Sequence, residues 1–377
     1  MMFMMMKVWQ MVSFLLTLLT AGSCSQEEVD QQVMLPQNLE VIVEAGENGL
    51  VTLSFTADQV NFFRVSFGEE SEMPERVSGN EASFRYNTPG EYTITVQAHA
   101  TETDFIQEEL VVTITEQMLG IGFPDSGFSS PMTYEGYTLA WNDEFDAETL
   151  SNDWVFEIGD GCPDLCGWGN NELQYYRREN TELKEGYLVI TAKEESRGGK
   201  NYTSSRLKTQ GQQNFQFGRI DIRAALPQGQ GIWPAFWMLG ENITTVPWPA
   251  CGEIDIMEMI GGNADGRDNT VHGTLHWDNN GNYASDGGKR SLSEGAILKD
   301  NFHVYSLIWE ENRITWLLDD VVFHSMDISP AAMDEFRKPF FLLINMAVGG
   351  NWPGNPDAST RFPQQLAVDY VRVFEQD

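Results

Sequence analysis

Gly252-Glu253-Ile254-Asp255-Ile256-Met257-Glu258-Met259-Ile260-Gly261 threads three carboxylates through apolar residues between two glycines. The pattern predicts a strand. Side chains alternate across a strand, so Glu253 and Asp255 share one face, while Ile254 and Ile256 point the other way, toward a core. Glu258 breaks that parity. On a regular pleat it would lie with the isoleucines, and an unpaired buried carboxylate surrenders its charge rather than bear the desolvation. One extra residue near Ile256-Met257, a β-bulge, returns Glu258 to the face of Glu253 and Asp255. Bulges are over-represented beside active sites because they re-aim a side chain.

Carboxylates held close together cannot all ionise, since like charges raise one another's pKa; the outcome is one carboxylate beside one carboxylic acid. Glycoside hydrolysis needs that unlike pair, one group to attack or stabilise the anomeric carbon and one to protonate the leaving oxygen. The competing reading is a solvated acidic strand face. The bracketing glycines, the broken parity and the surrounding aromatics count against it.

Composition sets the outer bounds. The 377 residues, 41% hydrophobic and 21% charged, are ordinary globular composition with room for two domains. A formal net charge of −33 argues against nucleic acid and polyanionic substrates, which need a basic track, and favours a neutral polymer. The four cysteines, Cys24, Cys162, Cys166 and Cys251, are too few for a disulfide scaffold. Cys162 and Cys166 can bridge in an exported chain, or Cys251 can pair with one of them; both pairings stay open. His272 and His276 lack a third obvious ligand, so a metal reading is weak and no cofactor is expected for the chemistry.

Residues 1–23 read as a signal peptide: Lys7 precedes an apolar run from Val8 to Leu19, shorter than the roughly 20 residues a membrane-spanning helix needs. Ala21-Gly22-Ser23-Cys24 resembles a bacterial lipobox, which would put lipid on Cys24 and a membrane anchor on the mature chain. The expected location is the outer membrane or cell surface, with periplasmic or secreted protein as the alternative. After a tether at 24–37, residues 38–116 alternate in short runs and predict a small immunoglobulin-like β-sandwich. Its Tyr86-Asn87-Thr88-Pro89-Gly90-Glu91-Tyr92 stretch resembles a polycystic-kidney-disease-type module. From Cys24 to Asp125 there are 19 acids against three arginines and no lysine, which suits a spacer. Residues 117–133 are a linker, and 134–377 form a second, larger all-β domain of two packed sheets.

Ten of the eleven tryptophans fall between Trp141 and Trp352, and indole faces stack well on sugars. Trp233 and Trp237 share one strand face with Phe236 opposite. Asn170 and Glu172 in a glycine-rich loop, with Arg206, offer hydrogen bonds to sugar hydroxyls.

Glu253-Ile254-Asp255-Ile256-Met257-Glu258 resembles the bulged signature of glycoside hydrolase family 16, in particular its bacterial laminarinases. Trp141-Asn142-Asp143-Glu144-Phe145, Gly167-Trp168-Gly169-Asn170-Asn171-Glu172, Gly231-Ile232-Trp233-Pro234-Ala235-Phe236-Trp237, His276-Trp277, Ala347-Val348-Gly349-Gly350-Asn351-Trp352 and Asp369-Tyr370-Val371-Arg372-Val373 carry the resemblance across residues 134–377. It implies a β-jelly roll and a retaining endo-β-1,3-glucanase, with Glu253 the nucleophile, Glu258 the acid/base and Asp255 between them. It also implies a family histidine at His276, and a structural calcium ion at Glu144, Gly186 and Asp369. Asn345 and Trp352 are expected on a groove wall at the far sheet edge. The alternatives are the same fold acting on mixed-linkage glucan or on agar or carrageenan, and a non-catalytic glycan-binding lipoprotein. A monomer is expected.

Overall fold

The computed structural model describes residues 33–377 other than 47–48, 69–73, 87, 117, 120–121 and 263. The expected signal peptide, Cys24 and most of the tether lie outside these residues.

Toward the N-terminus, alternation produces two small sheets. One has the order Gln37–Ala45, Leu50–Asp58, Glu81–Arg85; the other runs Glu75–Val77, Phe62–Ser66, Gly90–His99, Phe105–Ile114. In Leu50–Asp58 every second residue turns inward, burying Val51, Leu53 and Phe55. Phe55 meets Phe63 of the other sheet with ring centroids 4.7 Å apart, so the two sheets close on one apolar layer as a β-sandwich.

The C-terminal strands form a jelly-roll sandwich of a seven-stranded and a ten-stranded sheet. The seven-stranded sheet carries the site, in the order Tyr283–Ser291, Thr270–Asp278, Glu253–Glu258, Ile232–Gly240, Phe340–Val348, Arg206–Lys208, Val155–Phe156, each antiparallel to its neighbours. The ten-stranded sheet includes Gly218–Ala225, His303–Glu310, Arg313–Leu318 and Gln364–Gln376. Between the sheets lies one core, to which the first contributes Phe236, Met238, Ile254, Leu342 and Ile344 and the second Ile222, Leu307, Trp309, Trp316 and Val371. Each of these side chains is about 99–100% buried. Fully burying one large apolar side chain is worth about 1.5–3 kcal/mol, which is what can hold a charged strand in the middle of a sheet.

Strand order corrects one expectation. Asn345 does not stand at a sheet edge: Phe340–Val348 is buried along its whole length and sits between Ile232–Gly240 and Arg206–Lys208. Its continuous apolar run marks an interior strand covered on both faces. Phe340, Leu342 and Ile344 enter the core between the sheets, whereas Phe341 and Leu343 face the cleft with Asn345.

Candidate active site

The predicted bulge is present. Against Thr270–Asp278, Asp255 pairs with Thr274 and Glu258 with His272, so Ile256 and Met257 together face the single residue Gly273. Against Ile232–Gly240, Met257 pairs with Phe236 and Asp255 with Trp237, leaving Ile256 unmatched. Ile256 and Met257 both turn into the core, 2% and 0% exposed. Glu258 thereby rejoins Glu253 and Asp255 on the cleft face, and all three line one cleft of about 970 Å³.

Each acid has a distinct partner. Trp248 Nε1 donates to Glu253 Oε2 at 2.7 Å, and Trp233 Nε1 donates to Glu258 Oε1 at 3.0 Å. His276 Nε2 stands 3.0 Å from Asp255 Oδ2 and 3.9 Å from Glu253 Oε1, while its Nδ1 is 2.8 Å from the Tyr283 hydroxyl. Burial first, and the Asp255 carboxylate next, push Glu253 up to about 8. Desolvation, then Asp255 and Glu253, hold Glu258 well above the usual carboxylate range, and desolvation raises Asp255 as well. Burial and mutual repulsion thus keep the three from ionising together, so at neutral pH the cluster holds a proton among them.

Indole and guanidinium groups build the rest of the floor. Arg206 is sandwiched between Trp168 and Trp237, its guanidinium carbon 4.6 and 4.7 Å from their ring centroids, and Glu157 Oε2 pairs with its Nε at 2.5 Å. Trp237 Nε1 donates to Asn345 Oδ1 at 2.7 Å, Asn345 Nδ2 to the Tyr176 hydroxyl at 3.2 Å, and that hydroxyl to Glu172 Oε2 at 3.3 Å. Glu172 also accepts from Gln174 at 2.6 Å and from Asn170 at 3.3 Å. Buried and engaged in this way, Glu172 fixes the loop and the Trp237 ring. Trp352, 42% exposed, meets Trp233 edge-on at 5.8 Å and His272 at 5.0 Å.

Asn170, Glu172, Arg206, Trp233, Trp237, His276, Asn345 and Trp352 all line the cleft with the three acids. The calcium residues behave differently. Arg372 donates to both oxygens of Glu144 at 2.8 and 2.7 Å, and Arg223 Nη1 donates to Asp369 Oδ2 at 2.7 Å. Gly186 supplies only backbone. With a guanidinium on each carboxylate, the oxygens left to hold a cation are Asp369 Oδ1 and the backbone carbonyls through which the expected site partly binds. Glu253, Asp255 and His276 do place ligand atoms within 4.8 Å of one another, but these are the candidate reacting groups. Cys162 and Cys166 form a disulfide and Cys251 is a buried free thiol, which resolves the open pairing.

Sequence reasoning passed over Trp168, Trp248 and Tyr283. Trp168 lies inside the glycine-rich loop already singled out, and Trp248 stands five residues before Glu253, so both had a local signal. Tyr283 had none, since it arrives from the next strand by pairing with Asp278.

A carboxyl raised in the folded chain keeps a proton that the unfolded chain loses near pH 4.5, so folding takes up protons. The resulting stability is complete at acidic pH and is lost as pH rises toward about 8, the region to which Glu253 is pushed. Glu258→Gln removes one of these raised carboxyls. Its melting temperature should fall less steeply than wild type between pH 5 and about 9 and exceed it at the alkaline end, as calorimetry across that range would show. Parallel profiles would contradict the cluster's electrostatics.

A model of the glycosyl hydrolases family 16 matches residues 166–372. The chain is 40% identical over 241 residues to the clotting factor G alpha subunit of Tachypleus tridentatus, a match that covers 63% of this chain and 34% of that one. It is 40% identical over 256 residues to a beta-glucanase of Rhodothermus marinus, covering 63% and 85%. Among solved structures, the catalytic domain of an endo-1,3-beta-glucanase (laminarinase) from Thermotoga petrophila RKU-1 matches with a TM-score of 0.60 at 44% identity, over 64% of this chain and 98% of that one. With the bulged acid strand and its aromatic cleft in place, the chain belongs to glycosyl hydrolases family 16.

Proposed function

We propose that the protein is an endo-acting, retaining β-glucanase that hydrolyses β-1,3-glucosidic bonds of laminarin-type glucans. The observation that carries this reading is the placement of Glu253 and Glu258 on one face of a bulged strand, in a cleft lined by Trp168, Trp233, Trp237 and Trp352. Glu253 attacks the anomeric carbon while Glu258, its proton held by burial, protonates the leaving oxygen; water then opens the glycosyl-enzyme with Glu258 as base. The Trp248 and Trp233 indoles orient the two carboxyl groups. Strands flank the acid strand on both sides, bringing His276 and Tyr283 to one side of the acids and Asn345 and Arg206 to the other. A polymer crossing the strands can thus be cut internally. The β-1,3 linkage is supported by the activity for which the Thermotoga petrophila enzyme is named.

In an incubation with laminarin, lichenan, agarose and carrageenan, laminarin should be cut to a ladder of oligosaccharides. Glu253→Gln and Glu258→Gln should each lower the rate by about 10²–10⁴-fold without unfolding. Wild-type turnover in either folded variant would overturn the reading.

We also read residues 38–116 as a polycystic-kidney-disease-type spacer and Cys24 as a lipid-bearing N-terminus that anchors the chain to the outer membrane or cell surface. The support is the short apolar run followed by Ala21-Gly22-Ser23-Cys24. Mass spectrometry of the mature protein should find a lipid-modified Cys24 at its N-terminus; an N-terminus elsewhere, or unmodified Cys24, would refute it.

A further inference from the structure

We propose that Trp316 is a positioning residue for the catalytic acid, acting on the bulge from the opposite sheet; this deepens the proposed function and rests on it. Trp316 belongs to Arg313–Leu318 of the ten-stranded sheet and is fully buried. Its indole Nε1 crosses the core to donate, at 2.8 Å, to the backbone carbonyl of Asp255. Asp255 is the first residue of the register break, the point from which Ile256 and Met257 share one partner.

The approach exists because the residue facing the bulge is glycine. A Cβ on Gly273 would lie 2.4 Å from Trp316 Cδ1 and 2.7 Å from its Nε1. Gly273 pairs with Gly288, where a Cβ would come within 2.7 Å of His324 Cβ. His324 is the cross-strand partner of Trp316, with ring centroids 5.1 Å apart. Two paired glycines thus open a window in the inner face of the cleft sheet, and two neighbouring rings of the other sheet fill it. A buried carbonyl without a donor is costly, so the indole N–H selects the orientation of the Asp255–Ile256 peptide. That orientation decides whether Ile256 and Met257 both enter the core and whether Glu258 faces Trp233. Filling the window would need only an aromatic ring; holding the peptide needs the N–H.

The test uses the full chain with Trp316→Phe, and a second variant with β-(3-benzothienyl)alanine at position 316, which keeps the bicyclic shape and replaces N–H by sulfur. Hydrolysis of laminarin is followed across pH. Separately, with no glucan present, the Glu258 carboxyl is titrated by ¹³C NMR, its signal assigned by its loss in Glu258→Gln. In the benzothienyl variant kcat should fall by about 10- to 100-fold with KM within about twofold, as expected for a misaimed acid. The alkaline limb of the rate profile and the Glu258 titration should both move to lower pH, because an acid released from its buried pose ionises more easily. Should the Phe variant fail to fold, the benzothienyl variant decides. A benzothienyl variant with kcat within twofold of wild type and an unmoved Glu258 titration would make Trp316 a core filler and overturn the proposal. If wild type cuts no glucan, the proposed function fails, and the substrate-free titration still decides the role of Trp316.

Discussion

Like charge gathered on one face of one strand is the constraint around which the site is built. Glu253, Asp255 and Glu258 face the same cleft, two of them more than nine-tenths buried, and each is held above its ordinary pKa chiefly by loss of water. Such a cluster costs several kcal/mol unless partners offset it. Trp248, Trp233 and His276 supply part of that offset, and the apolar core behind the strand supplies the rest. The bulge serves both ends at once: two successive apolar side chains go inward so that the next acid can go outward.

The second requirement is a stiff floor for a neutral polymer. Among the described residues that line the cleft, Lys208 and Arg206 both pair with Glu157, and Arg206 is also held between two indole faces. Its role is to brace Trp168 and Trp237. The Trp237–Asn345–Tyr176–Glu172 chain of hydrogen bonds fixes the same ring from the other side. Rings locked in this way lose little further freedom when a sugar stacks on them, which is the benefit of preorganisation. Among the described residues the arginine that lines the cleft is already paired, which fits the acidic composition and a neutral glucan.

What the sequence made legible was local. Parity along ten residues sufficed to predict the bulge, because a strand has only two faces and Glu258 was on the wrong one. Trp233, Trp237 and Phe236 were sorted correctly by the same rule. What it hid was non-local. Asn345 was assigned to an edge although the apolar run Phe340–Val348 points to an interior strand; which strands flank it depends on pairing with residues about a hundred or more positions away. Trp316 reads as one more core residue until the opposite sheet brings it to the Asp255 carbonyl. Glu144 and Asp369 each pair with a distant arginine that residue spacing alone could not reveal.

Glu258 reaches the cleft through one extra residue. Deleting Met257 leaves Glu253-Ile254-Asp255-Ile256-Glu, whose regular alternation would match His272, Gly273 and Thr274 one for one and keep all three acids on the cleft face. Deleting Ile256 and Met257 together would turn the last acid into the core without a partner. Laminarin hydrolysis and melting temperature measured on the two deletions test this directly. Residual turnover is expected in the single deletion, none in the double, and lower stability in the double. A single deletion that is well folded yet as inactive as Glu258→Gln would contradict it.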